Sequence, residues 1–419
     1  MSRPKSILVV GGGVIGMCTA YYALRKGLKV TVVERGPPDH DCCSLGNAGI
    51  VVPSHIVPLA APGMVGLGLR MLLNPASPFF IKPRLSLELF RWLWLFCRAA
   101  NPGHMLRSAP LIRDLSMASR RCFEELSEMP GQDFGLAKKG LLMLCKTRHK
   151  LREEVQTARL AGRLGLPFEV LAPQQVSNLD PAIRMDIAGG VHYPLDCHLI
   201  PQQFLASMTQ AVMNLGGTIS WTTPINGWKV SSNRIQAVQT EGGDISADEY
   251  VLAAGAWSAD LVRGLNIRLP IQAGKGYSIT LPAPRQLPTI PAILTEARIA
   301  VTPMGQSLRF GGTMELAGLD ESINPIRAQA IVQAIPRYFP DFKPDDFRDV
   351  PVWRGLRPCS PDGLPYLGRV GRYANLSVAA GHAMLGVSLG PISGKLLAQV
   401  LVSEKPSIPI GALSPDRYL

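Results

Sequence analysis

The first 34 residues of this chain constrain its fold more than any other segment. An apolar run over residues 6–10 leads into the turn GGGVIG (residues 11–16), and a second apolar run over residues 30–33 ends on Glu34. A strand, a G-x-G-x-x-G turn, a helix-length stretch and a second strand that closes on an acid are the pattern of a dinucleotide-binding βαβ unit. The alternative is a glycine-rich packing turn without a ligand.

Each residue of this pattern has a physical task. Gly11 permits the tight turn, Gly13 lets backbone N–H groups approach a pyrophosphate, and Gly16 lets the helix pack closely on the sheet. The helix N-terminus stabilises the phosphate charge, and Glu34 is placed to accept hydrogen bonds from a ribose diol. The same turn and strand end predict three further contacts with the nucleotide, from Val14, Ile15 and Arg35.

Composition limits the class of protein. The chain has 419 residues, of which 47% are hydrophobic and 18% charged, so it can build two or three domains around a large core and is not disordered. Its eight cysteines show no CxxC pair, no metal-ligand spacing and no dense framework, which predicts reduced thiols in a cytosolic compartment and no metal site. The neighbours Cys42 and Cys43 leave a redox pair open.

The surface charge leaves two interpretations open. The formal net charge of +12 favours an anionic partner such as a membrane surface, and an ordinary basic surface explains it equally well. No basic stripe typical of nucleic-acid binding is present, so no nucleic-acid partner is expected. Residues 85–96 (LSLELFRWLWLF) suit an interfacial membrane segment or an amphipathic helix that covers the protein's own core. Neither a secretory signal nor a spanning helix is expected, which predicts a cytoplasmic protein or one peripheral on the cytoplasmic face of the inner membrane.

The order of predicted elements indicates a discontinuous α/β fold. A helix over 201–215 and strands up to residue 254 resume the pattern of the N-terminal unit, whereas strand-like runs between 276 and 311 form a separate antiparallel layer. We therefore predict a Rossmann-like domain that binds the dinucleotide and an inserted α+β substrate domain with an antiparallel sheet. The predicted segments are 1–55, 186–270 and 351–419 for the first domain, and 56–185 and 271–350 for the second.

A set of motifs in a fixed order connects the chain to a known family. The motifs are GGGVIG (11–16) with Glu34, SLGNAG (44–49), VLAAGAWS (251–258), KGYS (275–278), WRGLRP (353–358) with PDG (361–363), and AGH (380–382) followed by Gly386. With these motifs the chain resembles the D-amino-acid oxidase/glycine oxidase/sarcosine oxidase superfamily of FAD enzymes, and within it bacterial D-amino-acid dehydrogenases of the small-subunit type. Since only one G-x-G-x-x-G turn is present, we expect FAD to be reduced by the substrate rather than by a nicotinamide.

The resemblance implies how FAD is held. Short side chains in the loop 44–49 let backbone amides reach the flavin ring, and the last helix directs its positive end at the ring edge where negative charge develops on reduction. The related sarcosine oxidases attach FAD through a cysteine near their C-terminal motif. Because no cysteine follows Cys359 in this sequence, non-covalent FAD is expected. The contacts implied by these motifs are Ser44, Asn47, Ala48, Gly49, Ala254, Gly255, Gly381, Leu385, Gly386 and Val387.

The resemblance also implies residues that bind the substrate. Arg357 would bind a carboxylate through its planar fork, and the alternative is a structural arginine paired with an acid such as Asp362. Tyr277 would add a hydroxyl to the same carboxylate, unless it is a core residue. His382, in the segment at the pyrimidine edge of the flavin, and His55, facing the substrate pocket, are further candidates for the catalytic site. For His382 the alternative is a ring held by backbone groups.

These residues predict oxidative deamination of a D-amino acid to the 2-oxo acid and ammonia, by hydride transfer to flavin N5. A quinone or another non-oxygen acceptor would take the electrons. A carboxylate clamp without an obvious base suits this reaction, because positioning does most of the work. Two alternatives stay open: a dehydrogenase or oxidase of a cyclic imino acid (D-proline or hydroxy-D-proline), glycine or an N-methyl amino acid, and a tRNA-modifying or partner-dependent flavoprotein subunit. The oligomeric state is not predicted.

Overall fold

The computed structural model describes residues 5–72 and 77–419. Residues 1–4 of the first predicted segment and 73–76 of the second domain lie outside the described residues. The strands in chain order are β1 Ser6–Val10, β2 Lys29–Val33, β3 Ile50–Val51, β4 Phe79–Ile81, β5 Leu141–Cys145, β6 Glu169–Leu171, β7 Gly189–Tyr193, β8 Cys197–His198, β9 Thr218–Ser220, β10 Ile225–Ser231, β11 Arg234–Thr240, β12 Gly243–Ile245, β13 Glu249–Leu252, β14 Gln272–Leu281, β15 Ala292–Leu294, β16 Ile299–Met304, β17 Ser307–Leu316, β18 Val352–Cys359, β19 Tyr366–Arg369 and β20 Leu376–Ala380. The helices are α1 Val14–Arg25, α2 Met64–Leu72, α3 Leu87–Ala99, α4 Pro102–Ser127, α5 Arg148–Arg163, α6 Pro173–Leu179, α7 Pro201–Asn214, α8 Ser258–Leu261, α9 Pro325–Ala334 and α10 Gly386–Leu401.

The first sheet, called the parallel sheet below, has the order β19-β20-β13-β1-β2-β9. Strand β1 pairs in parallel with β2 on one side and with β13 on the other, and β13 pairs in parallel with β20. Helix α7, which leads to edge strand β9, begins at Pro201 and ends just before Gly216, whose φ is +82°. Because the strand order reverses at β1, the crevice beyond the carboxyl ends of β1 and β13 is where such sheets bind ligands.

Helices α1 and α10 cover one face of this sheet and pack closely on each other. A Cβ atom on Gly394 of α10 would lie only 2.5 Å from the backbone carbon of Cys18 on α1. Within the described residues one helical stretch, Ala383–Leu401, is long and apolar enough to cross a membrane, but 67% of its apolar window is buried inside the protein. The sequence predicted no such stretch. Its apolar composition is explained by its place in the core between α1, α4 and the sheet.

The second sheet, called the mixed sheet, has the order β18-β14-β17-β16-β15-β5-β7-β6, with β4 beside β17. Its central pairs, β14 with β18 and β14 with β17, are antiparallel, and β15 pairs in parallel with β5. The predicted boundaries need correction at two strands, because β7 and β18 fall in segments assigned to the Rossmann-like domain but pair in the mixed sheet. Pairing between strands far apart in the chain leaves no local sequence signal. The predicted α/β fold class, a Rossmann-like unit with an inserted sheet domain, is confirmed.

Candidate active site

A cavity of about 700 Å³ opens where the two sheets approach each other. This volume falls in the range of ligand pockets, about 300–1,000 Å³. Its walls come from both sheets, so the site exists only when the two domains are in place. The lining comes from the β1–α1 turn, the end of β2, the loop 40–47, the segments 223–225 and 253–257, strand β18, the segment 379–387 at the start of α10, and the single residues Leu261 and Glu321.

The glycine turn between β1 and α1 has the geometry that its spacing predicts. Gly11 has φ +110°, and a Cβ atom there would lie 2.5 Å from the carbonyl oxygen of Ala253. A Cβ atom on Gly16 would lie 1.9 Å from the carbonyl oxygen of Gly11, so this glycine serves helix packing and does not line the cavity. Gly13 does line the cavity, and its Cβ direction meets nothing closer than the Ser44 hydroxyl at 3.5 Å.

The end of β2 forms the next part of the wall. Glu34 is 8% exposed and accepts hydrogen bonds from the backbone N–H groups of Gly12 (2.7 Å) and Gly36 (2.9 Å), which fixes its carboxylate at the cavity. The Arg35 guanidinium lies 3.6 Å from the centre of the Trp257 ring, and both side chains line the cavity. Glu34 and Arg35 were predicted from the sequence. Trp257 was not, although this residue lies inside the motif VLAAGAWS (251–258).

Two of the four residues predicted in the loop 44–49 line the cavity. The Ser44 hydroxyl accepts a hydrogen bond from the N–H of Val14 at the start of α1 (3.1 Å), and Asn47 Oδ1 accepts one from Gly49 N–H (2.8 Å). Ser44 and Asn47 line the cavity, whereas Ala48 and Gly49 do not. Gly49 instead makes the sharp turn out of the loop, with φ +69°. The preceding Asp41, Cys42 and Cys43 line the cavity too and were not predicted.

The start of α10 closes the opposite wall. Gly386 and Val387 line the cavity with Ala254 and Gly255, whereas Gly381 and Leu385 do not. His382 also lines it, and its Nε2 lies 2.9 Å from the Ser393 hydroxyl. Its buried Nδ1 has no hydrogen-bond partner among the described residues. Burial lowers the pKa of His382 to about 3, so the ring is neutral.

Arg357 is not among the residues that line the cavity, but it lies on β18 between Leu356 and Pro358, which do. Its Nη1 donates a hydrogen bond to the carbonyl oxygen of Thr313 (2.7 Å). A Cβ atom on Gly276 would lie 2.0 Å from the same Nη1, so the guanidinium lies flat on that glycine.

The conformation of Thr313 explains why its carbonyl is available. A β-bulge in β17 opposite Gly276 holds Thr313 at φ +63°, an uncommon conformation for a non-glycine residue. No ion pair of Arg357 occurs among residues 5–72 and 77–419. The alternative pairing of Arg357 with Asp362 is not present, because Asp362 forms its ion pair with Arg417, at 2.7 and 3.0 Å.

The predicted contact of Tyr277 with a substrate carboxylate needs correction. Its side chain is 0% exposed and its hydroxyl donates to Glu315 (2.9 Å) and accepts from the Asn324 N–H (3.2 Å). Lys275 Nζ and Arg327 Nε lie 4.0 and 3.6 Å from the same carboxylate. Successive residues of a strand point to opposite faces, so Tyr277 points into this buried charge network while Gly276 supports Arg357. We call Lys275, Tyr277, Glu315 and Arg327 the buried charge network.

His55 lies outside the cavity lining. Its Nδ1 is 3.2 Å from the Ser54 hydroxyl, which donates to the carboxylate of Asp196 (2.5 Å). Burial lowers the pKa of His55 to about 4 and raises that of Asp196 to about 7. The role of His55 toward a substrate therefore stays a prediction.

The cavity suits a flavin dinucleotide. A glycine turn at a helix N-terminus and a second helix N-terminus at Gly386 supply backbone donors, and the acid at the end of β2 supplies an acceptor. The Nδ1 of His382, which has no partner among the described residues, is a further polar atom at the cavity. Together with the switch-point position, these features define an FAD-dependent oxidoreductase, and the chain belongs to that family: the family model described as "DAO: FAD dependent oxidoreductase" matches residues 6–400. The predicted resemblance and the predicted cofactor FAD are confirmed.

Relatives agree with this assignment over nearly the full length. The D-amino acid dehydrogenase of Bradyrhizobium diazoefficiens is 33% identical over 426 residues, covering 98% of each chain, and that of Granulibacter bethesdensis is 31% identical over 98% of this chain and 99% of its own. Among solved structures, glycine oxidase from Geobacillus kaustophilus has a TM-score of 0.79 at 22% identity, covering 99% of this chain and 100% of its own. L-proline dehydrogenase from P. horikoshii has a TM-score of 0.74 at 16% identity, with 100% and 98% covered. These two structures support the fold alone.

Proposed function

We propose that this protein is an FAD-dependent dehydrogenase that oxidises a D-amino acid to the 2-oxo acid and ammonia. The observation that carries the proposal is Arg357: it lies on β18 between two residues that line the cavity, its charge acts on the thiol of the cavity-lining Cys43, and it has no ion pair among the described residues. A planar fork of this kind matches a carboxylate geometrically. The names of the curated relatives favour a D-amino acid over the other substrates considered above.

The side chains divide the work of binding and orientation. Arg357 binds the substrate carboxylate, and its contacts with Gly276 and the Thr313 carbonyl fix the plane of the clamp, so that the Cα–H bond is held in one direction. His55 and His382 are neutral, because burial lowers the pKa of both, and so they add no charge that repels the substrate amine. When bound, FAD supplies the hydride acceptor, and water hydrolyses the imino acid product.

We also propose that FAD is held without a covalent bond. Cys42 and Cys43 line the cavity, but burial raises the pKa of Cys43 to about 12 and also raises that of Cys42. A thiol with such a pKa is not a nucleophile at neutral pH, because the thiolate is the reactive form. Acid precipitation of the pure protein should release all the flavin into the supernatant.

An anaerobic titration of the protein with a panel of compounds, followed by the flavin absorbance at about 450 nm, tests the proposed reaction. The panel contains matched D- and L-amino acids, D-proline, hydroxy-D-proline, glycine and sarcosine. Bleaching by one or more D-amino acids and not by their L-isomers is the expected result. Bleaching by the cyclic acids, glycine or sarcosine alone would assign the reaction to that substrate class instead. A flavin band that no compound bleaches would refute the proposed reaction.

We propose further that electrons leave for a quinone at an anionic membrane surface, which α3 contacts. The inner face of α3 belongs to the core, since Trp92 is 3% exposed and its Nε1 donates to the Cys359 carbonyl (2.8 Å). The outer face exposes Leu87, Phe90 and Trp94 by 86, 58 and 56%, and the guanidinium of Arg98 lies 4.7 Å from the Trp94 ring centre. Both interpretations of residues 85–96 are thus compatible with one helix. Exposed aromatic and basic residues on one face are typical of an interfacial helix.

Flotation with lipid vesicles tests the membrane proposal. The protein should float with vesicles that contain phosphatidylglycerol more than with pure phosphatidylcholine, and Trp94→Ser should reduce flotation at least fivefold. Met213→Ser is the matched control, because Met213 is 44% exposed on α7. Equal sedimentation with and without either vesicle would contradict the proposal, as would an unchanged Trp94→Ser protein.

A further inference from the structure

One buried arginine links the mixed sheet to the loop 44–49. Arg309 on β17 is 5% exposed. Its Nη1 donates to the carbonyl oxygens of Leu45 (2.8 Å) and Asn47 (2.7 Å), and its Nε donates to the Thr280 hydroxyl (3.0 Å). The side chain therefore reaches from one domain into the loop of the other, directly behind residues that line the cavity.

No carboxylate in the described part of the chain neutralises the positive charge of this arginine. Its hydrogen-bond acceptors are two backbone carbonyls and a hydroxyl, and no ion pair of Arg309 occurs within residues 5–72 and 77–419. Burial lowers its pKa to about 10, so the side chain stays protonated at neutral pH. A buried cation without a counter-ion is costly, and such groups are usually paired. An anion that forms in the adjacent cavity would be stabilised by it.

The rest of the loop shows why this contact sets its shape. On the far side of Asn47, the chain turns at Gly49 and the Gly49 carbonyl accepts from the N–H of Leu199 (2.8 Å). On the near side, the Ser44 hydroxyl is bound to the start of α1. Arg309 holds the two carbonyls between these anchors, and so it fixes the middle of the loop.

We propose that Arg309 is a positioning and electrostatic residue for FAD: it fixes the loop 44–49 against the flavin and stabilises the negative charge that the cofactor gains on two-electron reduction. The reduction adds two electrons and one proton, so the cofactor gains one negative charge. A fixed cation in a water-excluded site favours this form over the oxidised one. The proposal requires FAD in this cavity but no particular substrate.

Substrate-free measurements on the holoenzyme test this inference separately from the reaction. Two variants divide the two effects: Arg309→Lys keeps the charge but loses the fork, and Arg309→Gln keeps an amide donor but loses the charge. Arg348→Gln is the control, since Arg348 is an exposed residue whose side chain is 71% exposed. The readouts are the Kd of FAD, the Kd of sulfite and the midpoint potential. Sulfite forms an S–N bond to the oxidised ring and displaces an electron pair onto its pyrimidine side, so its affinity reports stabilisation of negative charge.

The two variants should differ in a defined way. Arg309→Gln should weaken sulfite binding at least tenfold. It should also lower the affinity for reduced FAD at least tenfold more than the affinity for oxidised FAD, which lowers the two-electron midpoint potential by about 30 mV or more. Arg309→Lys should keep sulfite affinity within threefold but weaken FAD binding at least tenfold. The control should match the natural protein in all three readouts.

Two results would overturn the inference. One is an Arg309→Gln protein with natural sulfite affinity and potential, which would remove the electrostatic role. The other is an Arg309→Lys protein with natural FAD affinity, which would remove the positioning role and is measurable even if Arg309→Gln does not fold.

Discussion

Replacement of Arg357 by alanine should raise the KM for the amino acid while FAD remains bound. In the structure the guanidinium is fixed by Gly276 and by the Thr313 carbonyl, and no acid among residues 5–72 and 77–419 is its partner. It is therefore a preorganised clamp, and its removal leaves a substrate carboxylate in the site without a counter-charge. Truncation of one partner of a desolvated charge pair costs about 2–5 kcal/mol. At 1.4 kcal/mol per tenfold, the KM should rise by about 30-fold to about 3,000-fold.

A lysine variant refines this expectation. Arg357→Lys keeps the positive charge but offers one ammonium in place of a two-donor fork, so it should recover part of the loss and leave a KM about tenfold above the natural value. The assay is steady-state turnover with an artificial electron acceptor, with flavin content and thermal unfolding measured on the same samples. Arg348→Ala is the control, because this arginine forms only an exposed pair with Asp345 (2.8 Å) and should leave KM unchanged.

One outcome would refute the reasoning. If Arg357→Ala folds, holds FAD and shows a KM within threefold of the natural protein, the carboxylate binds elsewhere. A fall in kcat with an unchanged KM would equally contradict the clamp, because it would assign Arg357 to the transition state alone.

Three further predictions concern stability. Glu315→Ala should cost about 3–5 kcal/mol of unfolding free energy in urea titrations, because it removes the buried carboxylate that accepts from the Tyr277 hydroxyl and lies 3.6 Å from Arg327 Nε. Glu404→Ala, which breaks an exposed pair at 2.6 Å, should cost no more than about 1 kcal/mol, and similar losses in both would refute the argument. Gly394→Ala should cost about 1–3 kcal/mol through the 2.5 Å contact with α1 and weaken FAD binding, whereas Gly264→Ala has open space around its Cβ and should change neither. Burial raises the pKa of Asp196 to about 7, so the stability contributed by its protonated form is complete only below about pH 4, the pKa of the unfolded chain, and is lost as the pH rises through 7. Asp196→Asn should flatten this part of the Tm–pH curve, and a curve parallel to the natural one would contradict the assignment.

Much of the fold and cofactor could be predicted from local patterns. The strand–glycine turn–helix–strand unit is contained in residues 6–34, and its roles depend on neighbours a few residues apart, so Gly11, Gly13 and Gly16 lie as the spacing predicts. Helix α7 begins at Pro201 and ends before Gly216 for reasons that are local to the backbone. In such elements the local conformational preference of the backbone agrees with the structure that forms.

The membership of strands in sheets and the direction of side chains were decided only by the tertiary structure. Strands β7 and β18 join the mixed sheet through partners far away in the chain, and no local pattern records such a pairing. Tyr277 and its neighbour Gly276 differ by one position on a strand, which places one in the buried charge network and the other under Arg357.

Two arginines show most clearly which features the sequence predicts and which depend on the tertiary structure. The sequence alone identified Arg357 as a candidate clamp, but only the structure revealed that Asp362 is paired with another residue and that a bulge at Thr313 holds the guanidinium. Arg309 carried no sequence signal at all, because its significance lies in the distance to two carbonyls of a loop more than 260 positions away. A sequence determines which groups are available and which local conformations they prefer. Contacts across such separations depend on the packing of the whole chain, and that packing placed both charges beside segments that line the cavity.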